Sequence, residues 1–409
     1  MVESKKTKRF ASLFLASSLV VGALAGCSGG SGGDQGDSSS SDNGSSSNGG
    51  DSDVIKIGAN LELTGAVASY GSSIAQGAEL AIEAINNNGG INGKKIEFVK
   101  VDNKSENAEA TSAAIRLATQ EKVNVMIGPA TSGNVLATVQ IANDNKIPLV
   151  TASGTAPNVT ENADGSINEY VFRTCFIDPF QGVIAANFAT NELGVKNVAI
   201  FADNSSDYAK GLAAAFKEQI EANGGQVVAE AAYVAKDTDF KSTLTTLKSK
   251  NPEFIFIPGY YEEVGLIVKQ ARELGIDVPL MGADGWDSPK LVELAGAENL
   301  NNSFIINHYS SEDPDPKIQD FVKAFNDKYG ESPNAFHALG YDTVYFIKDA
   351  IERAGSVDGA AIKDALAATK NISLVSGTVS VDEKHNAVKS ATILEYVDGT
   401  QTFKTKIEP

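Results

Sequence analysis

Three loops carry polar side chains that could hold a small charged ligand. Gly128-Pro129-Ala130-Thr131-Ser132-Gly133 follows the apolar run Val123–Ile127 and precedes a helical pattern containing Val135 and Val139. Free N–H groups and the Ser132 hydroxyl in such a loop suit an anion such as a carboxylate. Thr151-Ala152-Ser153-Gly154-Thr155-Ala156-Pro157 follows the next apolar run and offers a second set of hydroxyls and backbone groups. Ser and Thr also cap helices routinely, so residue type alone leaves both roles open. Leu280-Met281-Gly282-Ala283-Asp284-Gly285 ends a further run in a single carboxylate. Asp284 can pair with a ligand ammonium or cap a helix near Ser288. Tyr70, Tyr208, Tyr260 and Tyr261 fall in glycine-containing stretches between strand and helix patterns. They are either the edges of a core or, if they converge, an apolar wall for a ligand.

Other chemistries lack their residues. The sequence contains no G-x-x-x-x-G-K-[ST] phosphate loop, no H-E-x-x-H and no C-x-x-C. G-x-S-x-G occurs at Gly26–Gly30 and Gly29–Gly33, in a Ser/Gly-rich stretch where no strand-turn-helix could strain a nucleophile. His308, His337 and His385 are far apart and show no ligand spacing, so they read as surface or packing residues and no metal site is expected. Cys175 reads as a small buried hydrophobe. No cofactor motif is present, and no enzymatic activity is expected.

The elements that must position these loops alternate strand and helix. Val54–Ala59 is β-rich, and residues 72–87 place Ile74, Ala78, Ile82 and Ile85 at helical spacing. A strand over Lys95–Val101, a helix over 107–121 and a strand over Val123–Ile127 follow. Further strands are expected near 147–152, 197–202, 226–234, 253–258, 278–282 and 303–309. This rhythm predicts parallel sheets covered on both faces, with ligands beyond the carboxyl ends of the strands. A weak repeat, a helix ending in Asn-Gly-Gly and then a strand, relates Ala81–Val99 to Phe216–Val234 and suggests two similar halves.

The chain of 409 residues is long enough for two or three domains, and its formal charge is −18. So acidic a surface repels phosphate backbones and argues against nucleic acid as a partner. Lys5, Lys6, Lys8 and Arg9 precede an apolar stretch, Phe10–Ala25, too short and too rich in Ser for a membrane span. The pattern is that of a signal peptide over residues 1–26. It ends in Leu24-Ala25-Gly26-Cys27, which resembles a bacterial lipobox and implies cleavage before Cys27 and lipid on its sulfur. The mature chain then carries −21. Ser28–Asp53 has ten Ser, eight Gly and five Asp among 26 residues and no apolar side chain, so it cannot form a core. As a coil it reaches roughly 30 Å. Residues 27–53 are expected to tether a folded body to the membrane.

Together the body's motifs resemble the type I solute-binding proteins of ABC importers, in particular the branched-chain amino acid receptors. The resemblance runs from about Ile55 to Phe403. It rests on Leu63-Thr64-Gly65 with Tyr70-Gly71, Ala78–Gly93, Ile127-Gly128 before the Ser132 loop, Thr155-Ala156-Pro157, Gly259–Glu263 and Met281–Gly285. It implies an α/β fold of two doubly wound parallel-sheet lobes joined by a three-stranded hinge. Lobe 1 would hold 54–173 and 307–388, and lobe 2 would hold 174–306 and 389–409. It further implies that Ser132 and Thr155 hold a ligand carboxylate. The Ser153 carbonyl, the Thr155 hydroxyl and Asp284 would take the ammonium, while Tyr70, Tyr208, Tyr260 and Phe336 line the side-chain pocket. Position 284 usually carries Glu in that subgroup, and Trp286 beside it could also reach the pocket. The implied role is a monomeric extracytoplasmic receptor that delivers an amino acid, branched-chain aliphatic first, to a membrane permease. An aromatic amino acid, a small amide, or sensing without transport are the alternatives.

Overall fold

The computed structural model describes residues 54–409; the signal peptide, Cys27 and the tether lie outside the described residues. Five parallel strands form the first sheet: β1 (Val54–Leu61), β2 (Lys95–Asp102), β3 (Val125–Ile127), β4 (Leu149–Thr151) and β5 (Val171–Arg173). Their order is β2-β1-β3-β4-β5. β3, β4 and β5 are buried at every position; β3 reads as a continuous apolar run, whereas β4 ends in Thr151 and β5 in Arg173.

A second sheet begins with β6 (Asn197–Asp203), β7 (Gln226–Tyr233), β8 (Phe254–Phe256), β9 (Leu280–Gly282) and β10 (Ser303–Asn307), all parallel. A small antiparallel sheet of β11 (Ile372–Leu374), β12 (Gly377–Val381) and β13 (Ala387–Val388) follows. β14 (Ala391–Val397) and β15 (Thr400–Ile407) then return to the second sheet and pair antiparallel on the free side of β10. The second sheet is therefore mixed, in the order β15-β14-β10-β9-β8-β6-β7. The sequence rhythm did not show the strands after Asn307: all but β14 are largely half-buried or exposed, and they include exposed Val388, Val397 and Phe403.

The chain passes between the two main sheets after β5, after β10 and between β13 and β14. The helix Ala335–Ala354 packs on the helix Ala68–Asn87, on the first-sheet side. The contact is backbone against backbone: a Cβ on Gly77 would lie 1.9 Å from the His337 carbonyl oxygen, and one on Gly340 would lie 2.2 Å from that of Ile74. This approach seats Phe336 on Tyr70, rings stacked at 4.4 Å. Among the described residues, no helix is long and apolar enough to cross a membrane.

Candidate functional site

The carboxyl ends of β1, β3 and β4 face those of β6, β8 and β9, and the loops that follow them enclose a small cavity. Tyr70, Ala130, Thr131, Ser132, Ser153 and Phe336 line it from the first-sheet side, and Tyr208, Tyr260, Asp284 and Gly285 from the second. Seven of the eight sequence-predicted ligand residues thus meet there; the eighth, Thr155, lies fully buried in the loop after β4. The cavity volume is about 10 Å³, room for roughly one water molecule.

The two sides touch through hydroxyls and main chain. The Tyr70 hydroxyl donates to the Gly285 carbonyl and accepts from the Tyr261 amide at 3.3 Å. Tyr261 in turn donates to the Ala66 carbonyl at 3.0 Å, and the Ser69 and Ser288 hydroxyls pair at 2.7 Å. Tyr208 and Tyr260 stack at 5.1 Å. Burial pushes the Tyr70, Tyr208 and Tyr260 phenols well above their ordinary range, so all three are neutral hydroxyls near pH 7.

Asp284 is held from several sides. Its Oδ1 accepts from Gln181 Nε2 at 3.0 Å and from the Tyr208 hydroxyl at 2.8 Å. Its Oδ2 faces His308 Nε2 at 3.1 Å, and its backbone N–H donates to Gln181 Oε1 at 3.1 Å. The side chain caps no helix; Ser288 caps the helix Pro289–Ala295 by accepting from the Lys290 amide. Burial lowers the His308 imidazole to about 4, so the ring is neutral at pH 7. A carboxylate only accepts, so Nε2 carries the ring proton. His308, expected to be a packing or surface residue, is buried against Phe176 and pairs with Asp284 without lining the cavity.

Three further buried residues position the loops, and sequence reasoning missed them. Glu62, just past β1, accepts from the Ala130 and Thr131 amides at 2.9 and 3.1 Å, from the Thr131 hydroxyl and from Asn134 Nδ2. Part of the N–H set expected to be free for a ligand is thus taken by the protein's own carboxylate. Arg173, at the end of β5, donates to the Gly154 and Ala156 carbonyls and to the Thr160 hydroxyl, which fixes the loop carrying Thr155. Gln181 grips Asp284 through both ends of its amide. Each pairing spans long sequence separations or loop backbone and leaves no local motif. The available signal was polar residues inside apolar surroundings, as in Val171-Phe172-Arg173 and Phe176-Ile177-Asp178.

The Ser132 hydroxyl accepts from the Ala156 amide at 3.1 Å, which leaves its proton to donate. Ser153 turns its hydroxyl to the Ala130 carbonyl. Trp286 does not reach the cavity: its indole N–H donates to the Ile257 carbonyl, and the ring lies flat against Gly282 where any Cβ would clash. Cys175 is buried, and desolvation raises its thiol to about 12, far from reactivity. His337 completes the cap of its own helix with Asn334, and His385 stacks on Phe172. Among the described residues, no group of three or more His, Cys, Asp or Glu side chains could hold a metal ion. Hydroxyl donors, one well-held acid and a ring-lined wall suit a small ligand bearing both an anion and an ammonium.

Residues 54–401 match the family model described as periplasmic binding protein. The chain is 30% identical over 332 residues to the leucine-, isoleucine-, valine-, threonine-, and alanine-binding protein of Pseudomonas aeruginosa, covering 81% of this chain and 87% of that one. Its fold matches the branched-chain amino acid transporter substrate-binding protein LivJ of Streptococcus pneumoniae, solved with isoleucine. That match has a TM-score of 0.82 and 41% identity and covers 87% of this chain and 100% of that one. It also matches the leucine-binding protein LivK of Thermotoga maritima, with a TM-score of 0.82 and 37% identity over 87% of this chain and 99% of that one.

Proposed function

The chain belongs to the periplasmic binding protein family, and on that premise we propose that it is an extracytoplasmic receptor for an amino acid, branched-chain aliphatic first, serving an ABC permease. The observation that carries this reading is the cavity itself. Ser132 and Ser153 face Asp284 across it, and Tyr70, Tyr208, Tyr260 and Phe336 supply the apolar wall. In this reading the ligand carboxylate takes the Ser132 and Thr155 loops. The ammonium takes Asp284, the Thr155 hydroxyl and the Ser153 carbonyl, and the side chain lies among the rings. The Ser132 hydroxyl pairs with an amide and not with a base, which favours a receptor over a catalyst.

Because the cavity is so small, admission of an amino acid requires the Tyr70 hydroxyl to leave the Gly285 carbonyl and the two sides to part. The three crossings between the sheets would act as the hinge between a lobe of 54–173 with 307–388 and a lobe of 174–306 with 389–409. Ligand contacts made on both sides would favour closure by their difference between the two forms. Lipid on Cys27 and the tether 28–53 would hold a monomer at the membrane surface within reach of the permease.

A thermal-shift screen of the twenty amino acids tests the reading. At a hundredfold excess over Kd, the true ligand stabilises the fold by about 2.7 kcal/mol, a rise of several degrees in Tm. Leucine, isoleucine and valine should lead. If no amino acid shifts the transition, the reading is wrong.

A further inference from the structure

Near Asp284 lies a second buried acid that has no hydrogen-bond partner among the described residues. Asp178 begins the helix Asp178–Asn187, is 0% exposed, and neither of its carboxyl oxygens has a hydrogen-bond partner. The Thr155 hydroxyl, also 0% exposed, is likewise unpartnered. The two are neighbours: the Asp178 amide donates to the Thr155 carbonyl at 3.1 Å, and the hydroxyl lies close enough to favour ionisation of the carboxyl without reaching sound hydrogen-bond geometry. One turn further along the helix, Gln181 holds Asp284. Two buried orphans side by side, next to a loop whose Ser153 lines the cavity, are costly unless something else completes them.

We propose that Thr155 and Asp178 form a relay behind Asp284, in which ligand capture expels one proton from the Asp178 carboxyl. This rests on the reading that the ligand carries an ammonium. Before capture, the Asp178 carboxyl keeps its proton. On capture, the ammonium settles between Asp284 and the Thr155 oxygen. The Asp178 O–H bond breaks, its proton passes to bulk water, and the new carboxylate accepts the Thr155 hydroxyl proton as a hydrogen bond. Thr155 then accepts from the ammonium on one side and donates to Asp178 on the other.

Every group that faces Asp178 bears on its charge. Asp284 disfavours a second anion, and Tyr208 and Tyr260 stand by as neutral phenols. Gly211, on the helix Asp207–Ala222, presses against the carboxyl and brings no donor. Cys175 is a neutral thiol, and His308 is a neutral ring bound to Asp284. The Thr155 hydroxyl and Arg173 favour the anion, but the Arg173 guanidinium is spent on the Gly154 and Ala156 carbonyls and Thr160. The helix N-terminus also favours it, through a partial charge that acts only over the first turn. Burying an unpaired carboxylate without hydrogen bonds outweighs them. Burial therefore wins and raises the Asp178 carboxyl well above its ordinary range.

The test is calorimetric titration of the full chain with leucine and isoleucine near pH 6, in buffers of different ionisation enthalpy. The observed enthalpy should vary with buffer by close to one proton released per ligand in the wild type and by none in Asp178→Asn. Wild-type affinity should rise by up to tenfold per pH unit while Asp178 is protonated in the free protein, and the Asp178→Asn affinity should stay flat. Infrared difference spectra of the wild type give an independent readout: a protonated-carboxyl band lost on ligand addition. Buffer-independent binding enthalpy, or equal proton release from wild type and variant, overturns the relay while leaving the receptor reading intact. No binding of any amino acid overturns both.

Discussion

Asp284→Asn isolates charge from shape at the centre of the site. The carboxylate now serves three donors: Gln181 Nε2 and the Tyr208 hydroxyl on Oδ1, and His308 Nε2 on Oδ2. An Asn oxygen can keep the first two. Its amide then faces His308, and that ring can adapt because His308 Nδ1 has no partner. Moving the ring proton to Nδ1 costs no existing bond and lets Nε2 accept from the amide. The fold should therefore lose only about 1–2 kcal/mol, the difference between charged and neutral hydrogen bonds. Asp284→Ala differs, since it strands three buried donors at about 1–3 kcal/mol each. Binding responds the other way. A ligand ammonium left without its buried counter-charge loses roughly 2–5 kcal/mol, at least about thirtyfold in affinity. Denaturant unfolding without ligand and calorimetric titration with leucine or isoleucine separate the two effects. Affinity within threefold of wild type would refute the reasoning, remove Asp284 from the ligand site and reopen whether the ligand carries an amine.

Glu62→Gln replaces one acceptor oxygen with a donor facing the Ala130 or Thr131 amide; a loss of about 1–3 kcal/mol in stability and weaker binding through the Ser132 loop are expected, and an unchanged unfolding midpoint would show that the carboxylate does not hold that loop. Gly77→Ala and Gly340→Ala force the two packed helices apart, at about 1–3 kcal/mol or more. Both should also weaken ligand binding, because Phe336 moves with its helix; a variant with wild-type stability and affinity contradicts the close approach. His308 gives a pH test. Its folded value of about 4 lies below the ordinary 6.5, so the unfolded chain binds a proton that the fold refuses. Stability attributable to His308 is present above pH 6.5 and is lost as pH falls toward 4, by about 3 kcal/mol. His308→Gln, compared with wild type by urea unfolding at pH 7 and 4.5, should show a shallower loss; identical pH dependence argues that the ring is not buried neutral.

The parallel half of the fold was legible because completely buried strands leave continuous apolar runs, as in Val125–Ile127 and Phe254–Phe256. β5 escaped notice because it is three residues long and ends in Arg173. β15 escaped because its sequence, Thr-Gln-Thr-Phe-Lys-Thr-Lys-Ile, is polar enough to read as loop. At the site, Asp284 stood out as a lone acid at a strand end, and the tyrosines as rings in glycine-rich turns. The residues that hold them did not. Gln181 lies 103 positions from Asp284, and Glu62 lies 68 positions from Ala130. No local spacing rule links such partners, since the pairing exists only once two strand ends are brought together.

Charge balance ties these residues to one kind of ligand. With Asp178 protonated, the buried centre holds the Asp284 and Glu62 carboxylates and the Arg173 guanidinium around neutral tyrosines and a neutral His308. A bare carboxylate entering there would meet Asp284 with no ammonium between them, a repulsion that buried surroundings strengthen. A bare amine would satisfy Asp284 but leave the Ser132 hydroxyl, whose oxygen already serves the Ala156 amide, without an acceptor for its proton. A zwitterion answers both needs and adds no net charge. Its ammonium still needs more than the shared Asp284 oxygens can supply, because Gln181, Tyr208 and His308 already occupy them. Asp178 can supply another negative charge without new neighbours, by giving up its proton. Selection for an α-amino acid and proton release would then be two consequences of one arrangement: an acid saturated by the protein in front, and an acid left unsatisfied behind it.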